Sequence, residues 1–322
     1  MPEAERGVTG AHISVVLPTM GTVGRPGDPE HIVATARTAE QLGFDGVWTG
    51  DHIRHPRPMM ESLVALCFAA AHTQRIAVEW SVLLIALRRL PVIAKQIATL
   101  ACFAPGRVGV GIGVGGEYAE EWQLVGVPRA ERGQRTDVAV AQLSAALGGT
   151  DVTFPGLGPV RLDPVPPMPV PLFFGGRRPA ALLRAARYGD GWTGWLHSPG
   201  SFRAIRESLQ GRRAELGRSG PFSYGIQVPV LFSRPGERAS VILPRDSQRY
   251  AVTGGPDEVV GRLREYWDAG ADHFRLNIFD ISPSLDQLKI LGSEVLPELR
   301  SWHRHLPKGV RHDPGVAYRP GL

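Results

Sequence analysis

Apolar positions along the 322-residue chain alternate between two rhythms, short β-branched runs and longer stretches at helical spacing. The first run, Ile13-Ser14-Val15-Val16-Leu17, is closed by Pro18. Ile32, Val33, Ala36, Ala39 and Leu42 then recur as one face of a helix, with Asp28 placed to cap it, Pro29 at its first position and Gly43 at its end. The alternation continues. Strands are expected over Gly46–Thr49, Ile76–Leu83, Val108–Val114, Pro171–Phe174, around Gly191–Thr193, and over Tyr224–Phe232 and His273–Asn277. Between them the helical spacing predicts helices over Glu61–Ala71, Pro91–Phe103, Arg129–Leu147, Pro179–Tyr188, Pro199–Leu216 and Asp257–Ala269, with a terminal one over Leu285–Trp302.

Eight strands alternating with helices are the count of a (β/α)₈ barrel. A doubly wound open sheet shares the alternation, but such sheets usually have five or six strands, so the barrel is the better reading. Two stretches interrupt the rhythm, a Gly/Pro-rich one over 148–169 and a polar one over 234–253, and they read as insertions after strands four and seven. The whole chain, 1–322, reads as a single barrel domain. Residues 306–322 carry Pro, Gly and Arg without periodicity and are expected to trail over the surface.

Composition narrows the function classes. With 43% hydrophobic and 21% charged residues the chain is not a disordered one. At this length a fold buries about three quarters of its unfolded surface, so neither disulfides nor a structural metal is needed. The two cysteines, Cys67 and Cys102, lie in helix-like apolar segments; with no signal peptide at the start, this suits a reducing cytoplasm. No apolar run reaches the roughly 20 residues of a membrane span. The net charge is +5, yet three of the 36 basic residues are lysines (Lys95, Lys289, Lys308) and the other 33, all arginines, are scattered. No charge block or nucleic-acid motif accompanies them, and a bound anionic cofactor fits the excess better.

In a barrel, chemistry sits at the carboxyl ends of strands, and three such ends stand out. Strand two leads into Gly50-Asp51-His52, where an imidazole suits proton transfer at neutral pH and Asp51 is placed to orient or charge it. The competing reading is a capping aspartate beside an ordinary loop histidine. Strand four carries Gly109, Gly111 and Gly113 at period two, a bare face that calls for close approach of a ligand or of neighbouring side chains. Gly111, Gly113 and Gly116 also match the dinucleotide pattern Gly-x-Gly-x-x-Gly, but no long helix opens directly after them, so they read as a wall of the barrel. Glu117 and Tyr118 follow at the mouth. Strand five ends in Gly175-Gly176-Arg177-Arg178-Pro179, where bare amides, a helix dipole and guanidinium groups make either an anion site or a plain glycine turn with solvent-facing arginines. No metal-ligand spacing, nucleophile elbow or Walker loop is present in the sequence. Trp48, Trp192 and Trp195 flank mouth positions and are read equally as core residues or as platforms for a planar ligand.

These segments together resemble the bacterial luciferase-like monooxygenase family, and within it the branch of oxidoreductases dependent on the deazaflavin coenzyme F420. The likeness runs from about Pro29 to Arg300 through an ordered series: Ala39–Trp48 with Asp51-His52, Pro91–Leu100, Gly106-Arg107, Gly126-Val127-Pro128, Glu131-Arg132-Gly133, Phe174-Gly175-Gly176, Gly189–Trp192 and Gly254–Val259. The resemblance implies a barrel, usually dimeric, in which His52 is the acid/base and Asp51 contacts the cofactor. It places a bulge with a non-prolyl cis peptide at Ser81-Val82, beneath the cofactor ring, Gly113 among the cofactor-binding residues, and the cofactor phosphate at Gly175, Gly176 and Arg177. Asp137 stands where a glutamate is more usual. The implied activity is hydride transfer between F420 and a small organic substrate, with Glu117 as a second acid/base candidate. The rival in the same fold is an FMN-dependent monooxygenase supplied with reduced flavin by a partner reductase; a rival of another class is a non-catalytic flavin-binding protein. A homodimer, in the cytoplasm and without nucleic-acid or membrane partners, completes the expectation.

Overall fold

Alternation of β-branched residues with small or polar ones gives each strand one face for the helices and one for the lumen, and the sheet closes on that basis. A computed structural model of the chain describes residues 8–21, 27–154, 156–232, 245–278 and 285–305. Eight parallel strands, His12–Val16, Gly46–Thr49, Ala77–Leu83, Val108–Ile112, Leu172–Gly175, Gly191–Trp195, Ser223–Phe232 and His273–Ile278, each pair with the next. The seventh pairs with both the sixth and the eighth, and the eighth pairs with the first, so the ring is closed. An open sheet would leave two of these strands as edges.

Ile13, Val15, Val47, Val78, Val110, Phe174 and Leu276 are fully buried with the inward faces of the surrounding helices. The helix ends follow their sequence signals. Asp28 Oδ1 accepts the Glu30 amide at 2.9 Å at the start of Pro29–Leu42, and Gly43 ends that helix at φ 86°. Ser198 caps Pro199–Glu215, and the Gly255 amide donates to Glu258 Oε2 at 2.9 Å at the start of Pro256–Asp268.

Several boundaries differ from the expectation. The fourth strand stops at Ile112 rather than Val114, and Gly115 and Gly116 then take φ of +58° and +119°, which turns the chain out of the sheet. A six-residue helix, Ala119–Leu124, fills part of the stretch read as irregular, and the long helix begins at Arg132 after a single tight turn. The first insertion carries a small hairpin of Val152–Thr153 with Pro159–Val160. In the second, Val252–Gly254 lies parallel to the outer end of the seventh strand, while 233–244 fall outside the described residues, as does the tail over 306–322. Among the described residues no helix is long and apolar enough to cross a membrane.

Candidate active site

The loop after the second strand brings Asp51 and His52 to the barrel mouth, and the two side chains part company there. Asp51 is buried, and its oxygens accept from Ser62 Oγ and the Leu84 amide at 2.9 Å each and from both terminal nitrogens of Arg88 at 2.6 Å. This bidentate pair ties the second-strand loop to the segment following the third strand. The expectation that Asp51 orients the imidazole is corrected. With both oxygens engaged, its carboxylate makes no contact with the His52 ring.

The partner of His52 is Glu121, on the short helix Ala119–Leu124. His52 Nδ1 donates to Glu121 Oε2 at 3.1 Å. Glu121 is buried, and burial pushes its carboxyl up, offset in part by His52 and by the Ile53 amide and reinforced by Glu117. Its second oxygen, Oε1, is buried without a hydrogen-bond partner. The His52 ring is partly exposed and sits edge-on to Tyr118 at 5.1 Å, with His55 at 5.5 Å; His55 and Tyr118 meet at 5.2 Å. Burial pushes the Tyr118 hydroxyl up, with Glu117 and Glu121 adding to it, and pushes the His55 imidazole down, so both rings are neutral near pH 7. Glu117 is exposed at the mouth, four residues before the carboxylate that holds the histidine. Sequence reasoning missed Glu121 because the turn containing it is too short to show a period. The only signal was proximity in sequence: Glu121 lies four residues after Glu117, in the same mouth segment.

Beneath this mouth the third strand breaks register against the fourth between Trp80 and Leu83, and the Ser81-Val82 peptide bond is cis. Gln227, on the seventh strand, spans the lumen and donates from Nε2 to the Ser81 carbonyl at 2.9 Å and to the Ser81 hydroxyl. The glycines opposite have a specific reason to be bare. A Cβ at Gly111 would overlap the Trp80 carbonyl, one at Gly113 would overlap Val82 Cγ2, and one at Gly175 would lie 3.1 Å from Val82 Cγ1. The bare face of strand four therefore accommodates the bulge and the Val82 side chain.

The fifth strand ends in the glycine turn. Gly176 has φ +108°, and its carbonyl accepts from Trp192 Nε1 at 2.8 Å, which fixes the turn before the helix Pro179–Tyr188. No side chain caps that helix, so its first amides are open to a ligand. Arg177 and Arg178 are exposed beside it. Arg184 on the same helix holds Asp137 in a bidentate pair at 2.6 and 3.0 Å, which docks the long helix Arg132–Leu147 against it. His197 lies under the turn, 5.6 Å from the Trp192 ring, and is pushed down to about 4 by burial and by Arg177. Of the three tryptophans, Trp48 and Trp192 are core and Trp195 is partly open to solvent.

A second cluster lies at the opposite end of the lumen. His12, Glu79 and His273 bring ligand-type atoms within 4.8 Å of one another, from three strands far apart in sequence, which is why residue spacing did not show them. The cluster already holds a cation, because Arg275, fully buried, places Nε and one terminal nitrogen 2.9 Å from Glu79 Oε2. Burial alone would raise the Glu79 carboxyl, but His273, Arg275 and His12 hold it well below the carboxylate range, while burial and Arg275 keep His273 neutral.

Residues 11–241 match the family model of the luciferase-like monooxygenases. The chain is 30% identical to an F420-dependent glucose-6-phosphate dehydrogenase of Beutenbergia cavernae, over 86% of this chain and 96% of that protein. It is also 30% identical to the protein of the same name from Kineococcus radiotolerans, over 84% and 94%. An F420-dependent secondary alcohol dehydrogenase, solved with an F420-acetone adduct, shares the fold at a TM-score of 0.76, with 21% identity over 91% of this chain and all of that one.

Proposed function

The chain belongs to the luciferase-like monooxygenase family, and from that premise we propose that it is an oxidoreductase that moves hydride between coenzyme F420 and a small organic substrate. One observation carries the reading: the third-strand bulge sets Val82 against Gly113 and Gly175, Gly175 opens the turn into an uncapped helix, and His52 stands at the same, carboxyl end of the barrel. Such a set of groups suits a planar ring with a phosphate-bearing tail. The two relatives named for F420 dependence, similar over 84% or more of this chain, support deazaflavin rather than FMN.

In this reading Ser81, Val82 and Gly113 support the ring, and Gly175, Gly176 and Arg177 hold the phosphate. When bound, the deazaflavin supplies a two-electron hydride acceptor or donor. The protein supplies position and a proton. His52 would take the proton from the oxygen of an alcohol as it is oxidised, and would return one to the oxygen of a carbonyl as it is reduced. Asp51 acts as a positioning residue, because its carboxylate fixes the start of the His52 loop through Arg88 and Leu84. Glu117 stands next in line as acid/base. A second copy of the chain belongs to the same proposal: Val64 and Phe68 face outward from the helix Ser62–Ala71 and Val92 from its neighbour, an apolar surface whose pairing is measured by light scattering.

The test is spectroscopic. Incubation with oxidised F420 or with FMN, followed by gel filtration, should leave the single deazaflavin visible band on the protein. Bleaching of that band by one of a panel of alcohols, or its return when the reduced form meets enones or carbonyls, identifies the substrate class. Retention of a two-band flavin spectrum instead would assign the chain to the FMN monooxygenases.

A further inference from the structure

We propose that Glu121 is a positioning residue that fixes the His52 ring with its proton on Nδ1 and its Nε2 toward the substrate. The inference rests on the reading of His52 as acid/base and goes beyond it by naming what governs that imidazole.

The geometry makes the case. His52 Nδ1 and Glu121 Oε2 are 3.1 Å apart, and His52 Nε2 has no partner among the described residues. A carboxylate only accepts, so the contact selects the tautomer with hydrogen on Nδ1 and leaves Nε2 to take or give the substrate's proton. A buried carboxylate behind an exposed imidazole is the arrangement by which a serine-protease triad holds its histidine in one tautomer. The two groups this buried carboxyl meets, the His52 ring and the Ile53 amide, both belong to the second-strand loop, so its contacts are directed at the segment that carries the imidazole.

The groups facing the pair are few. From the second-strand loop come His55 and, beside it, Arg54 and Arg57; from the mouth segment come Tyr118 and the exposed Glu117. Asp51 and Arg88 neutralise one another one residue away. Tyr118 and His55 are uncharged near neutrality, so the nearest charge that follows His52 is Glu121. Removing that charge should therefore be visible in the pH dependence of the rate.

Glu121→Gln is nearly isosteric and removes a buried charge, so the protein should keep its melting temperature. In cofactor-free protein, ¹⁵N spectra of the His52 ring should show one tautomer in the parent and a redistribution in Glu121→Gln. In the loaded enzyme, kcat should fall about 10- to 100-fold, as for other groups that orient a catalytic ligand, with KM little changed. The pH limb of kcat should move acidward, because an imidazolium loses the carboxylate that faces it. Glu121→Asp, which keeps the charge, should restore part of the limb. Unchanged ring resonances and an unmoved limb in Glu121→Gln overturn the proposal. The acid/base reading is tested separately by His52→Gln, expected to lower kcat by about 10² to 10⁴-fold. Full turnover in His52→Gln together with altered ring resonances in Glu121→Gln would remove the acid/base role and leave the dyad standing.

Discussion

Two histidines at the mouth end show how the same side chain acquires opposite properties from its surroundings. His52 is partly exposed and faces a carboxylate, whereas His197 is buried beneath the glycine turn, with Ser201 Oγ 3.3 Å from Nδ1 and Arg177 as its nearest charge. Burial and the arginine push His197 down to about 4, so it is neutral in the fold at any pH above that. The unfolded chain protonates the same residue near pH 6.5. Between about pH 6.5 and 4 the unfolded state therefore binds the extra proton, and stability falls as the pH is lowered through that window. His197→Asn keeps a polar contact to Ser201 but cannot titrate. Urea unfolding should show the parent more stable at pH 7.5, with the gap between the two proteins narrowing at pH 4.5. A gap that stays constant across this range would mean that His197 is not held neutral.

At the scale of elements, the glycine turn joins the end of the fifth strand to the helix Pro179–Tyr188, and the proposed phosphate site depends on Gly176. Its φ of +108° is one that side-chain-bearing residues rarely adopt, and a Cβ there would lie 3.0 Å from Ala181 Cβ in the helix's first turn. Gly176→Val should push the open amides off line. Losing one charge-assisted hydrogen bond, about 1.5–3 kcal/mol, should weaken cofactor binding by about ten- to a hundredfold, as titrated by fluorescence, in a protein that still melts cooperatively. Arg177→Ala should cost less, with the loss shrinking at high salt. Unchanged affinity in Gly176→Val would move the phosphate elsewhere. The turn was legible in the sequence because Gly-Gly before Pro is a local signal, and the same holds for Asp28, Gly43 and the alternation of strands and helices. Glu121 and Gln227 were not. Their roles arise from contacts across 69 and 146 residues of chain, which no local period encodes. The bare face of strand four lies between the two: its spacing showed that something approaches closely, and only the fold shows that Trp80 and Val82 do.

The whole barrel separates stability from chemistry along its axis. The mouth gathers His52, Glu121 and the glycine turn at the carboxyl ends of strands, while the floor gathers Ser14, Glu79, Thr193, His273 and Arg275 from interior or starting positions of four strands. Glu79 and Arg275 are both fully buried, and their contacts run across the lumen from the third strand to the eighth, with Thr193 Oγ1 of the sixth 3.3 Å from the guanidinium. Such a pair is a poor stabiliser against an apolar substitute, because both charges must leave water, but breaking it strands one charge in the interior. Arg275→Met should therefore cost about 3–5 kcal/mol, measured by chemical unfolding. Glu79→Gln in the same chain should restore most of that loss, since it removes the orphaned carboxylate. Neither variant touches the mouth, so KM and the pH limb assigned to His52 and Glu121 should stay as in the parent wherever the protein is folded. A single Arg275→Met variant with parental stability would mean that His12 and His273 supply the floor carboxylate's counter-charge without the arginine. A shifted pH limb would show instead that the two ends of the barrel are electrostatically coupled.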